Sequence, residues 1–547
     1  MSRKREAKAL RAAAKAEGGR AKVQGPSGSY APGGLAGGFA YDAANLFGQE
    51  TSEWQPWLRS PDAEINHDRD RMVARSRDLV RNDGWATGGI TRILDSAIGS
   101  QFRLVAKPDY RALQAYSRSF DAVWADEFGR AVEAEYRMWA DDASKWCDAA
   151  RQLTMTQMYW LALRHKILDG EALAVMLWTP ERVGLGGARY NTTVQLLDPD
   201  RLSNPYQQVD TPNLRAGIVL DGLGAATGYH IRRAHQGENF AAIESMIWDL
   251  FPRETPWGRP VTIHDGELDR RGQHRGLGIL SPVLSRLKMG SRADRAELAQ
   301  MLLQTIFATV IQSPYDEQDV LSSADDDGEL SAYQELRKQH AQENPIAVGG
   351  VKIPRLAPGE ELKAITSTHP NSGFVDFQSH VLRAFAASAG LSAEQVSWDY
   401  SKTNYSSARA AMLEAWKTLI RRRDNFAVGF ANPIWGCLLE EIMDAGRAPL
   451  PRGAPSFIEM KTAYMRCNWI GPARGWVDPV AERQGAVLGM EAGFGTLEQE
   501  SAEQGRDYEE NLDQRQVEIR MMKQRGLPLP QWAAGPPNQP QGGRNER

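Results

Sequence analysis

Between Ser406 and Ile420 the apolar side chains return at three- and four-residue steps: Ala408, Ala411, Met412, Ala415, Trp416, Leu419 and Ile420. That spacing marks one face of a helix. The stretch before it, Trp398-Asp-Tyr-Ser-Lys-Thr-Asn-Tyr405, is polar and built of residues that hydrogen-bond locally outside regular structure. A serine, Ser406 or Ser407, stands where an N-cap belongs. Lys417, Arg421, Arg422 and Arg423 place positive charge in the last turns, where a helix dipole favours it. The pattern predicts a polar loop feeding an amphipathic helix with a basic far end.

Elsewhere the same reading gives helices over about 61–82, 85–98, 112–139 and 154–168. Asp169-Gly170 then turns the chain into a strand, Ala172–Trp178, followed by strands near 193–197, 216–221, 226–232, 246–251 and 261–264. Helices followed by a meander of strands predict one α+β domain over about 45–275. Ser281-Pro282 reads as a helix start, and the helix runs to about Gln312, roughly 45 Å at 1.5 Å per residue. From about 313 to 362 the composition turns acidic, with Asp325, Asp326 and Asp327, and 347–353 with 356–359 reads as a short strand pair. A second helix spans about 373–389, with Gly390 as its stop. Further helices are expected over 433–445, from Pro479 to Gly493, and from the capping box Thr496-Leu-Glu-Gln499 to about Lys523, with a strand near 465–470. The two ends, 1–44 and 526–547, are rich in Gly and in charged or polar residues and read as flexible tails.

Composition narrows the function classes. With 42% hydrophobic residues in 547, the chain can bury a large core, and the length suits several domains. A net charge of −4 gives no overall basic footprint for nucleic acid. The three cysteines, Cys147, Cys437 and Cys467, lack metal-ligand spacing and read as free thiols in a reducing compartment. No run of about 18 apolar residues is present, so no membrane span is expected. The chain carries no phosphate-binding loop, no H-E-x-x-H and no nucleophile elbow. Asp198 and Asp200 in Leu-Asp-Pro-Asp read as turn formers before they read as paired carboxylates. His264-Asp265 reads as a strand-end histidine satisfied by its neighbours, and His230 with His235 lacks a companion ligand. The expectation is no catalytic residue, no metal and no cofactor.

Several motifs resemble the portal proteins of tailed bacteriophages, lambda-type family. They are Asp399-Tyr-Ser-Lys-Thr-Asn-Tyr-Ser-Ser-Ala-Arg409, Arg271-Gly-Gln-His-Arg-Gly276 with Ser281-Pro282, Trp469-Ile-Gly-Pro472 and Trp476-Val-Asp-Pro479. Weaker matches are Arg75-Ser-Arg-Asp-Leu-Val-Arg-Asn82, Asp169-Gly-Glu171 and Leu196-Leu-Asp-Pro-Asp-Arg201. They follow the family's order over roughly residues 40–525.

The resemblance implies a predominantly helical α+β portal fold of wing, stem, clip, tunnel loop and crown, assembling into a ring. It implies a wing from 45–280 and 431–475, stem helices at 281–312 and 366–390, and a clip at 313–365. A tunnel loop with a kinked helix follows at 391–430, and crown helices at 476–525. The implied function is a non-enzymatic head-tail connector at one capsid vertex, through which double-stranded DNA is packaged and ejected. The implied partners are further copies of the chain in a dodecamer, the DNA, the terminase large subunit, the major capsid protein and head-tail connector or adaptor proteins, with no membrane. The implied location is the virion, after assembly in the host cytoplasm. Ser401, Lys402, Thr403, Asn404 and Tyr405 are then expected to face the DNA channel, and Asp325, Asp326 and Asp327 to lie on the motor-docking clip. Ring symmetry turns one basic residue into a belt, so Arg421, Arg422 and Arg423 are belt candidates; a solvated or intersubunit charge run is the plainer reading of each. A wall of many cations would grip phosphates, whereas sparse ones let DNA slide. Two alternatives remain: a metal-dependent DNA-processing enzyme using Asp198, Asp200 and His264, or another structural virion protein such as a scaffold.

Overall fold

The computed structural model describes residues 52–184, 187–310, 339, 347–348, 351–352, 373–401, 403–473 and 479–530. The elements fall within residues 61–547, which form one compact unit. In chain order they begin α1 (Pro61–Ile65), α2 (Arg69–Asn82), α3 (Gly84–Ala97), β1 (Arg103–Ala106), α4 (Tyr110–Leu113), α5 (Ala122–Ala140) and α6 (Met155–Asp169). Seven strands follow: β2 (Glu171–Trp178), β3 (Thr192–Leu197), β4 (Leu214–Arg215), β5 (Ile218–Leu220), β6 (Ala226–Arg232), β7 (Trp248–Pro252) and β8 (Thr262–Gly266). Then come α7 (Leu284–Val310), β9 (Ala347–Val348), β10 (Val351–Lys352), α8 (Phe374–Ala389), α9 (Ala393–Ser397), α10 (Tyr405–Phe426) and α11 (Asn432–Asp444). The last are α12 (Lys461–Met465), β11 (Cys467–Ile470), α13 (Pro479–Glu491), α14 (Leu497–Glu503) and α15 (Tyr508–Gln524). No described helix is long and apolar enough to cross a membrane.

β2 organises the sheets. It pairs antiparallel with β3 on one side and β8 on the other. Its alternate residues serve two cores: Ala172, Ala174 and Met176 join the larger cluster, Leu173 and Val175 the smaller one. Both faces are buried, which is why the strand reads as a continuous apolar run. The antiparallel sheet β4-β5-β6-β7 closes the smaller core with Ile218, Leu220, Tyr229 and Ile231. β1 pairs with β11 across more than 360 positions of chain, Arg103 opposite Ile470, so the C-terminal part completes a core begun by the N-terminal helices. Aromatic rings fill that core. Phe102 stacks on Trp469 at 4.8 Å, Tyr159 meets both edge-on at 5.5 Å, and Phe426 stacks on Phe430 at 5.2 Å.

The structure departs from the sequence expectation at specific places. α7 starts at Leu284, two residues past Pro282, because residues 278–283 form turns first, with the Ser281 hydroxyl donating to Gly278 O at 2.7 Å. The 112–139 helix is two helices. The second begins where Asp121 accepts from Trp124 N at 2.8 Å. The single strand at 216–221 is a tight β4–β5 hairpin, since Ala216 and Gly217 take positive φ of 43° and 94°. Among the described residues the short strand pair is β9 with β10, and 356–359 lie outside them. Asp325, Asp326, Asp327 and Lys402 lie outside the described residues.

Candidate functional site: a capped polar loop above a buried ionic hub

The loop ahead of α10 is shaped by caps at both ends. Ser392 caps α9 through a capping box with Gln395. α9 stops at Trp398, whose φ of 58° is left-handed, rare for a side chain of this size. Trp398 is 64% exposed, with the Arg92 guanidinium 3.7 Å from its ring centroid. The chain then turns on its own side chains. Asp399 Oδ1 accepts from Ser401 N at 2.9 Å, and Thr403 N donates to Tyr400 O at 3.2 Å. α10 opens with Asn404 accepting from Ser407 N at 2.8 Å. Asn404, and not Ser406 or Ser407, is therefore the N-cap; these serines sit in the first turn, and Asn caps at least as well. Ser401 and Asn404 are exposed and Thr403 is half-buried, while Tyr405 opens the helix. Beneath the loop is a cavity of about 300 Å³ lined by Arg92, Trp398, Tyr400, Arg409, Trp416 and Glu482. Arg409 reaches Glu482 of α13 at 3.6 Å across it.

The basic end of α10 is not a helix end. A π-helical turn, Ala427–Ala431, carries the helical backbone on without a break into α11. Arg422 donates to Ala389 O at 2.6 Å, ending α8 from outside. Arg423 is 8% exposed and donates to Ala97 O at 2.8 Å, Ser96 O at 3.1 Å and Pro472 O at 3.2 Å. Burial lowers the pKa of both guanidinium groups. These two arginines are internal braces for helix ends and the Trp469-Ile-Gly-Pro472 segment. Gly471 leaves room for one of them: a Cβ there would lie 2.6 Å from Arg423 Nε. Arg421 alone of the three is exposed.

Four of the motifs converge on one buried ionic hub. Glu171, fully buried at the start of β2, accepts from Arg275 Nη2 at 2.5 Å, Arg69 Nη2 at 2.6 Å, His264 Nε2 at 3.0 Å and Gly276 N at 3.2 Å. Burial opposes ionisation of Glu171, but Arg275 and Arg69 outweigh it and hold the carboxyl well below its ordinary range. Arg275 also donates to Leu202 O, Ala216 O and Pro199 O at 2.7, 2.6 and 3.0 Å, tying its own loop to the 199–202 turn and to the β4–β5 turn. Beside it, Arg77 bonds both oxygens of Asp169 at 2.9 and 2.8 Å, Asp200 at 3.3 Å, and Asp198. Lys166 pairs with Asp265 at 2.7 Å. Glycines let these segments touch. A Cβ on Gly276 would fall 1.9 Å from Gly170 O, and one on Gly278 the same distance from Leu168 O.

The enzyme alternative grouped Asp198, Asp200 and His264. Asp198 and Asp200 do approach histidines, but these are His165 and His235, together with Asp169; His264 is bonded to Glu171 instead. Arg77 bonds to Asp169, Asp198 and Asp200 alike. Burial opposes the Asp198 carboxylate and Arg77 outweighs it, so its pKa is lowered; Asp200 is raised by burial and by Asp198. The thiols are chemically quiet, since burial pushes Cys147 and Cys467 up to about 12 and Cys437 to about 11. Sequence reasoning missed Arg69, Arg77 and Arg275 as a unit. The readable signal was Glu171 itself, a carboxylate at the head of an otherwise apolar strand.

The sequence profile described as phage portal protein, lambda family, matches residues 47–423. A portal protein of Escherichia phage N15 is 33% identical over 502 residues, 89% of this chain and 91% of that one. Portal protein B of Escherichia phage lambda is 32% identical over 502 residues, 89% and 90% of the two chains. Among solved structures, a chain of the virion of a native gene transfer agent particle aligns with TM-score 0.38 and 12% identity, over 80% of this chain and 93% of that one. A chain from the neck of the empty particle, computed with C6 symmetry, gives TM-score 0.37 and 13% identity over 84% and 99%.

Proposed function

The chain belongs to the lambda family of phage portal proteins, and from that premise we propose that its copies close into a dodecameric ring whose aperture carries double-stranded DNA into and out of the capsid. It is a structural component of the virion, a portal that connects head and tail. The reading is of a passive conduit: packaging work comes from the terminase large subunit docked on the segment 313–365, with Asp325, Asp326 and Asp327 on that face. Head-tail connector or adaptor proteins take the same place afterwards. The major capsid protein surrounds the wing, 45–280 with 431–475. Assembly takes place in the host cytoplasm.

Within the subunit, α7 and α8 are the stem. α7 has 27 residues, about 40 Å at 1.5 Å per residue, long for a helix inside a globular core. The loop Ser401–Tyr405 faces the aperture, with Arg421 the belt candidate left on α10. Residues 476–525 form the crown. The observation that carries this reading is one third identity to two phage portals along nearly the whole chain. The test is negative-stain imaging with mass photometry of the purified full-length protein. Rings with an open axis are expected; single copies at every concentration and salt would overturn the reading.

A further inference from the structure

The long stem helix and α2 carry a feature the loop does not. On α2, Arg71, Arg75, Asp78 and Asn82 fall on one line along the helix, at steps of four, three and four residues. On α7, Lys288, Arg292 and Arg295 fall on another, at steps of four and three. The two lines lie side by side, because Lys288 Nζ is 3.4 Å from Asp78 Oδ2 and the Ser291 hydroxyl donates to Asp83 Oδ2 at 2.5 Å. The result is two rows holding five cations and the Asp78 carboxylate, with Asp83 and Asp294 beside them. All five are exposed. Lys288 is shared with Asp78, and Arg71 stands 3.7 Å from Asp68. Arg75, Arg292 and Arg295 make no ion pair with any described residue.

We propose that these two rows form a binding face for the phosphate backbone of double-stranded DNA. The assignment rests on the portal reading and deepens it, by naming side chains that meet the duplex. Steps of three and four residues set successive cations about 4.5–6 Å apart along each helix. Helices in contact lie about 8–10 Å apart. A duplex presents one phosphate per roughly 1.7 Å of axis, so each guanidinium in such a grid finds an anion within reach. The composition of the rows separates DNA from a protein partner. A protein-docking face has an apolar or aromatic centre, and none stands between these cations; the exposed Met289 and Leu298 of α7 lie off the line, and the exposed Leu302 comes beyond Arg295 at its far end. Phosphate contacts need no such centre and are made by arginine and lysine without regard to base sequence. In a ring the rows repeat in every subunit, which gives the belt that Arg422 and Arg423, spent on backbone carbonyls, do not supply.

The experiment is fluorescence anisotropy of a labelled linear duplex with the full-length protein between 50 and 200 mM salt. Wild type is compared with the triple variant Arg75→Gln, Arg292→Gln, Arg295→Gln. A control variant is Arg286→Gln, on the far side of α7. Each lost phosphate contact lowers the slope of log K against log salt by about 0.9, so the triple variant is expected to lose about 2.7. The loss is expected to be equal on two unrelated duplex sequences, with Arg286→Gln at the wild-type slope. Mass photometry on the same samples reports the ring. An unchanged slope in an intact ring overturns the assignment and leaves the portal reading standing. Rings that fall apart only in the triple variant overturn it too, because the rows are then a contact between copies. If wild type never assembles, the portal reading fails, and the slope comparison still decides whether the rows bind DNA.

Discussion

Replacing Glu171 by Gln is the sharpest probe of the hub. The substitution keeps the shape and one carbonyl oxygen but removes the charge that two arginines share. Glu171 is 0% exposed, and Arg69 and Arg275 are 2% exposed, so no solvent replaces the lost carboxylate. Two buried guanidinium groups would then face each other, and Arg275 already lowers the pKa of Arg69 with the carboxylate present. Removing one partner from a buried ionic cluster costs about 3–5 kcal/mol, a hundredfold or more in a folding equilibrium. Urea unfolding followed by tryptophan fluorescence reads this as a lower midpoint. Acid adds a sign. The folded-state pKa of Glu171 is depressed, so its contribution is present above the ordinary carboxylate value and is lost as pH falls through the folded value. The gap between wild type and Glu171→Gln is therefore expected to be full at pH 7 and to narrow below about pH 4. A variant within about 1 kcal/mol of wild type at pH 7 would refute the claim that the hub holds these segments together.

Arg423→Gln should destabilise by about 1.5–3 kcal/mol through the carbonyls of Ala97, Ser96 and Pro472, while leaving DNA affinity per assembled ring unchanged; denaturation and anisotropy separate the two. Burial pushes the Glu133 carboxyl up to about 7. A raised carboxylate makes the fold lose stability as pH rises from about 4.5 through 7, so Glu133→Gln should match wild type in acid and exceed it at pH 8, read as a melting difference. α15 buries none of its residues and is held largely by ion pairs. They join Arg103 and Arg137 to Glu510 at 2.5 and 2.7 Å and Arg130 to Glu509 at 3.0 Å, and Lys107 meets Glu498 of α14 at 3.2 Å. Limited proteolysis around 504–507 should accelerate between 0.1 and 1 M NaCl, where screening shortens to about 3 Å; equal rates would show that apolar packing holds the arm.

Most of the helices and strands could be read from periodicity and caps, because each is set by neighbours in sequence. Gly390 ends α8, Thr496 boxes α14, and Gly170 turns α6 into β2, all with the expected geometry. What escaped was set at a distance. β1 has four residues and exists because Cys467–Ile470 pairs with it. Arg422 and Arg423 read as a charge run because nothing within a few positions shows the carbonyls that consume them. The hub was visible only as scattered motifs; the chain names Asp169, Glu171, Arg275 and Asp198 separately and cannot say that they meet. The loop Ser401–Tyr405 was readable as a loop, and its cap was misplaced by two or three residues because Asn and Ser compete for the same role.

From Tyr405 to Asp444 the backbone makes one continuous helical path about 60 Å long at 1.5 Å per residue. One arm begins at the exposed loop; the other is sunk among Trp435 and its aromatic neighbours. Helices of this kind bend at π-turns, and here that turn includes Gly429, where a Cβ would come within 2.4 Å of Asp265 Oδ1. The turn thus rests against the Lys166–Asp265 pair. That close approach depends on the missing methyl group at Gly429, some 36 Å along the helix from Tyr405 by the same rise of 1.5 Å per residue.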